Sequence, residues 1–378
     1  MADATNLDQG PRTARGRRPV GTASDRPTRH ELALLGFAAL SVVMAHRYQP
    51  VFLFFPVHAF HLGLVFAAAG HLAVAAPARD LPTRLRSEAL SWFGLAYAAN
   101  LGLALLTLGL YRAGLSPGGA VPSLASAEAA LGSLRTFLLA PLGLAEGYAL
   151  FQSAWILGHL GLASVLFQLL ARAQSRAVLG SALLGSSLAA AALLDQGGSG
   201  GPLLLWAGRV AFALAFYLAG HLLATASEVV RRRLLAPAAT VVCFLCADAL
   251  GAAFGGLGYD LDRGTLGGRP GFVSILGTAV LVLLVDQLAH HAARIVGDRS
   301  ALLAIGRSWR AILIGHQAAF FATNCAFVLL GALKADQLSG TSSFNLNKTW
   351  LLYLIPALAL PVLGRRAAAR LAKRPAPA

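Results

Sequence analysis

Residues Phe272–Ala293 read FVSILGTAVLVLLVDQLAHHAA. From Phe272 to Val285 the run carries neither charge nor proline. At 1.5 Å of rise per residue it is long enough to cross a hydrocarbon core of ~30 Å. A water-facing helix of this length would interleave a polar stripe every three or four residues. Here no charged side chain enters before Asp286, so the run reads as a membrane span with ionisable groups at one end.

Similar runs recur along the chain. Spans are expected near 31–50, 51–76, 89–110, 151–171, 177–194, 203–226, 237–254, 272–293, 309–332 and 349–364. The fold class is therefore all-α, a polytopic membrane bundle of ten helices. The run 136–150 is apolar but interrupted by Pro141 and Gly143, and reads as an interfacial or re-entrant piece. The 378-residue composition agrees: 57% hydrophobic, 12% charged, mean hydropathy +0.65. Soluble domains carry about 25% charged residues.

The formal net charge is +15. That balance would suggest nucleic acid if the basic residues lined one face of a soluble domain. Most of the 31 Lys and Arg instead sit in the tails and in alternate short connections. The remaining loops hold only Arg112, Arg135, Arg263, Arg269, Lys334 and Lys348. By the positive-inside rule both termini face the cytoplasm, in the cytoplasmic (inner) membrane. Residues 1–28 are expected to form a disordered basic tail without the apolar core of a signal peptide. Residues 29–364 form the membrane domain and 365–378 a second basic tail. The bilayer is the expected partner, and no nucleic acid is. Three cysteines, with Cys243-x-x-Cys246 inside an apolar run, give neither a disulfide framework nor a metal motif, so no metal is expected.

Ionisable residues inside spans are costly and are functional candidates. Glu31 to His46 measures ~22 Å along a helix, which puts His46 and Arg47 in the outer half of the first span. His58 and His61, an i,i+3 pair, lie early in the second. His159 and Arg209 fall at similar depth. Asn100 and Asp248 lie nearer the middle, and Asp286, His290, His291 and His316 toward the cytoplasm. His71 and His221 read more simply as histidines bonded to a neighbouring carbonyl. Asp286 with His290 and His291 reads equally as a site or as an interfacial cluster facing headgroups. Arg209 calls for an anionic partner or water.

The stretch Val57–Leu72, VHAFHLGLVFAAAGHL, resembles the second-span signature of acyltransferase family 3, with Phe60, His61, Leu64, Phe66, Gly70 and Leu72 matching. SVVMAH, ending at His46, is similar to the family's first-span ending. Ala154-Trp155-Ile156-Leu157, Phe216–Leu222 (FYLAGHL) and IGRSWRAILIGHQ, with Gly306, Ser308 and His316, follow in the family's order. The chain departs from the pattern at Leu32 and Leu35, where an acidic and a basic residue are usual. It departs also at Gly63, Ala69 and His71.

The resemblance implies a membrane-bound O-acyltransferase. Such an enzyme moves an acyl group, commonly acetyl, from acyl-CoA to a hydroxyl of a sugar or related acceptor. His46 would be the base and His61 its partner or oxyanion stabiliser. His58, His159, Arg209, His316 and Arg47 would contact substrate, and Arg84, Arg86, Arg307 and Arg310 would anchor the CoA phosphates. A polar passage along His46, His61, His159 and Arg209 would let donor and acceptor meet. The loops 111–150 and 255–271 are where acceptor contacts would fall. The competing class is a transporter or flippase using the same intramembrane His, Asp and Arg groups.

Overall fold

A computed structural model describes residues 27–46, 51–52, 55–75, 80–116, 121–123, 125–173, 175–196, 201–261, 270–334, 338 and 350–371. Almost all of them are helical. The first helix, α1 (Arg29–Ala45), starts from a reciprocal cap. Thr28 Oγ1 accepts from the Glu31 amide at 3.2 Å, and the Glu31 carboxylate accepts from the Thr28 amide at 2.5 Å. Beyond that turn α1 is apolar on every side and runs through the interior of the bundle. It packs against α2 (His61–His71), α11 (Gly271–Ile295), α12 (Ala301–Arg307) and α13 (Trp309–Leu329).

Among the described residues eight helices are long and apolar enough to cross a membrane. One is the continuous helix Leu81–Arg112, made of α3 (Leu81–Ala89), a wider π-turn at Leu90–Gly94 and α4 (Leu95–Arg112). The others are α6 (Ala154–Ala171), α7 (Arg176–Asp195), α8 (Gly201–Ala224), α10 (Pro237–Phe254), α11, α13 and α14 (Trp350–Leu371). Their burial sorts them into layers. The apolar windows of α6 and α11 are 72% and 61% buried, while those of α10 and α14 are 11% and 17% buried. On the outer helices Leu184, Leu188, Val241, Val242, Leu245 and Ile355 point away from the protein. Contiguous apolar surface of this extent is stable in lipid and not in water, so the chain is a multi-pass membrane protein.

Three sequence expectations need correction. Residues 51–76 do not form one helix: Val51–Phe52 pairs antiparallel with Phe55–Pro56, a short 3-10 turn covers Val57–Ala59, and α2 begins only at His61. Pro56 holds the preceding residue extended and gives no ladder donor, which keeps the entry to α2 non-helical. With eleven residues, α2 reaches only about 16 Å. Within the loop 111–150 there is an unanticipated helix, α5 (Ala127–Leu139), whose N-cap Ser126 accepts from the Ala129 amide. It ends at a 3-10 turn over Ala140–Leu142 and at Gly143 in the left-handed region, the interruption foreseen from Pro141 and Gly143. Finally, α14 continues to Leu371, so Arg365, Arg366 and Arg370 extend a helix where a tail was expected. The tail residues 1–26 and 372–378 lie outside the described residues.

Small residues set the closest helix contacts. A Cβ on Gly70 of α2 would fall on the Tyr217 carbonyl of α8, and one on Gly220 of α8 would fall on the Ala67 carbonyl of α2. Each glycine therefore admits the other helix's backbone. Gly306 of α12 meets the Leu32 carbonyl of α1 in the same way. Gly70 and Gly306 are also family-like positions in the sequence, and close packing alone accounts for both.

Candidate functional site

Where α1 ends and α2 begins, a cavity of about 310 Å³ is lined by Ala45, His46, His58, His61, Leu62, Tyr259, Asp260 and Leu261. The fold brings these together from three places. His46 caps the C-terminus of α1, His58 sits in the 3-10 turn and His61 opens α2. Tyr259–Leu261 follow Gly255, whose left-handed φ of 70° ends α10 and turns the chain back over the bundle.

Hydrogen bonds fix the form of several imidazoles. His61 Nδ1 lies 3.2 Å from the Val57 carbonyl, one helical turn back. His316 Nδ1 lies 2.9 Å from the Ile312 carbonyl, and His159 Nδ1 2.8 Å from the Trp155 carbonyl. A carbonyl only accepts, so each Nδ1 carries the hydrogen and each neutral ring keeps its lone pair on Nε2. The His46 ring lies against His316 with centroids 4.8 Å apart, and His58 meets His61 edge-on at 5.5 Å. The structure thus gathers three of the expected residues, His46, His58 and His61, around one space, and His316, expected toward the cytoplasm, lies instead against the His46 ring. Arg47 lies outside the described residues.

His159 and Arg209 are close by but do not form that cavity's wall. His159 is fully buried with its ring edge-on to Trp155. Arg209 Nε donates to the Leu261 carbonyl at 2.8 Å and Nη1 to the Gly143 carbonyl at 3.2 Å, and its guanidinium lies 4.9 Å from the Trp155 ring centroid. Arg209 therefore ties the Leu261 segment of the cavity wall to the Gly143 turn. These contacts set the guanidinium against carbonyl oxygens and an aromatic face.

At the opposite end, where α1 starts, the four expected arginines separate into two groups. Arg84 pairs with Glu88 at 2.7 Å, and Glu88 also accepts from Ser164 at 2.8 Å. Arg310 covers Trp92 at 4.2 Å and donates to Ser91 at 3.4 Å, within electrostatic reach of Glu88 and Tyr217. Arg307 instead donates to the Asp298 carbonyl at 3.0 Å, and Arg86 is exposed on α3. Arg84 and Arg310 make one basic cluster beside α6 and α8, and Arg307 and Arg86 stand outside it.

The chain matches no family model, no curated protein and no solved structure.

Some partners cannot be found from the sequence. There Tyr259 belongs to a Gly-rich loop without a marked role, yet its ring lies parallel to His61, with centroids 6.4 Å apart. Asn100 reads in the sequence as a mid-membrane polar group. It donates to the Phe137 carbonyl at 3.1 Å while Tyr97 donates to Leu138, so both dock the end of α5 onto α4. His221 follows its simple reading and bonds the Ala73 carbonyl at 3.1 Å. His71 does not, since its Nδ1 is buried without a hydrogen-bond partner.

Proposed function

We propose that this chain is a divergent, acyltransferase family 3-type membrane O-acyltransferase, with ten crossings and both termini cytoplasmic. In this count α1 joins the eight longer helices, and α2 makes the tenth crossing together with the apolar ribbon and 3-10 turn that precede it. The donor is acyl-CoA, in the first instance acetyl-CoA, and the acceptor is a hydroxyl of a sugar or related molecule. The single observation that carries the reading is the cavity walled by His46, His58 and His61, with the His316 ring tilted against His46.

Transfer to a hydroxyl needs a base, because an alcohol holds its proton far above neutral pH, and a positioned imidazole supplies ~10²–10⁴-fold. His61, fixed with its lone pair on Nε2, is the better-defined proton acceptor. His46 then becomes its partner, an exchange of the roles expected from the sequence. The hydroxyl oxygen attacks the thioester carbonyl as its proton passes to His61. The C–S bond breaks, and the CoA thiolate takes the proton back. The cavity's volume lies at the lower end of small-molecule sites, which suits an acceptor the size of a single sugar. Arg84 and Arg310 hold the CoA phosphates at the other end.

The test is acetyl-CoA binding to the purified chain in detergent, wild type beside an Arg84→Ala/Arg310→Ala double variant. Saturable binding, weakened at least ~10-fold in the double variant, is the expected result. A folded sample that binds no acyl-CoA removes the reading and brings forward a transporter built on the same intramembrane groups.

A further inference from the structure

A second cluster of chemistry-bearing side chains lies at the end where α1 starts, away from the histidine cavity. His30 of α1, His71 at the end of α2 and Asp286 of α11 each offer one ligand atom, and the three atoms lie within 4.8 Å of one another. His30 Nε2 is 3.0 Å from Asp286 Oδ1 and 3.2 Å from the Asp286 carbonyl, so it carries a hydrogen that an incoming ion displaces. Glu31 Oε1 is 4.0 Å from His71 Nδ1. Beside them is a space of about 30 Å³, also lined by Leu223, Leu234 and Arg231. That is room for one ion or water.

His71 Nδ1 is buried without a hydrogen bond, and Asp286 Oδ1 has the His30 ring as its neighbour at 3.0 Å. Asp286 as a whole is only 5% exposed. A buried imidazole nitrogen without a partner, beside a buried carboxylate, is costly unless an electropositive group lies near both. Charge points the same way. Two carboxylates, Asp286 and Glu31, border the site, and Arg231 on its wall is already paired with Glu228 at 2.6 Å.

We propose that His30, His71 and Asp286 form a binding site for a divalent first-row transition ion of the Zn²⁺ class. Two imidazoles and a carboxylate are the donor set such ions prefer, with a fourth position left to Glu31 or water. Tetrahedral Zn²⁺ keeps its donors roughly 3.3 Å apart, so a separation of up to 4.8 Å closes by side-chain movement of about 1.5 Å. The ion joins α1, α2 and α11, the first two of which also set the histidine cavity. The absence of any Cys/His motif in the sequence conceals the site, because its ligands are spread over more than 250 positions.

The test uses Co²⁺, whose visible d–d bands report coordination geometry, on the full chain purified without a polyhistidine tag and stripped with chelator. The site predicts about one ion per chain with tetrahedral-type bands, and displacement by Zn²⁺. His71→Asn and Asp286→Asn each weaken binding at least ~100-fold, while His46→Asn at the far end keeps the ion. If Asp286→Asn fails to fold, His71→Asn decides alone, because that substitution removes no hydrogen bond found in the structure. Substoichiometric binding by folded wild type, or binding that survives His71→Asn, overturns the assignment.

Discussion

The Gly70–Gly220 crossing gives the sharpest mechanical prediction. A single methyl added at Gly220 meets the Ala67 carbonyl, and one added at Gly70 meets the Tyr217 carbonyl. Both obstacles are backbone, so no side-chain rotation relieves them. The helices α2 and α8 must instead separate by on the order of 1 Å from a normal packing distance of about 8–10 Å. Overpacking of this kind costs about 1–3 kcal/mol. Because the two contacts lie at one crossing, a single separation accommodates both methyls. Gly70→Ala and Gly220→Ala should each destabilise by roughly 2 kcal/mol, and the double variant by clearly less than the sum. The assay is reversible unfolding in mixed micelles by SDS titration, with near-UV circular dichroism as the readout. Full additivity, or a Gly220→Ala protein as stable as wild type, would refute the shared close contact.

Other consequences can be checked alongside. Arg209→Met leaves the buried Leu261 and Gly143 carbonyls without that donor, so it should cost about 1–3 kcal/mol and loosen the cavity wall; an unchanged thermal midpoint would contradict the bracing role. Arg29 holds the Asp298 carboxyl below its usual 3.8 through a hydrogen bond at 2.6 Å. A depressed carboxylate stabilises above its unfolded pKa and loses that contribution as pH falls through the folded value. The small midpoint gap between wild type and Asp298→Asn should therefore be present at neutral pH and close in strong acid, and a gap that widens in acid would be the wrong sign. Asn100→Leu frees the end of α5 from α4, and should speed proteolysis around residues 121–126 without lowering the global midpoint by more than about 2 kcal/mol.

Much of this architecture is written locally in the chain, and the exceptions have physical reasons. The run Phe272–Ala293 is decisive by itself, because a stretch this long and this apolar has few alternatives to a span. His46, His58 and His61 are legible as neighbours since α1 and α2 are consecutive and connected by a short ribbon. Residues 51–60 mislead because hydropathy does not distinguish an apolar ribbon from an apolar helix; the only local signal is Pro56. The helix α5 has a signal in Ser126 and Glu128, a cap followed by a first-turn acid, that the apolar run after it obscures. Arg209 is legible as an intramembrane charge, but its carbonyl contacts are not. Its partners lie 52 and 66 positions away and are carbonyls, which any residue supplies. His71 is the same case: its neighbours His30 and Asp286 are distant in sequence, so only the folded bundle shows that they converge.

The central claim is that the histidine cavity performs acyl transfer. It is tested most directly by following release of free CoA from acetyl-CoA in the presence of a panel of sugar hydroxyl acceptors, with wild type, His61→Ala and His46→Ala compared at equal acetyl-CoA occupancy. Acyl transfer in this cavity predicts acceptor-dependent release that falls ~10²–10⁴-fold in His61→Ala while acetyl-CoA binding is retained. Release that is unaffected by either substitution, in protein that binds acetyl-CoA normally, would contradict it.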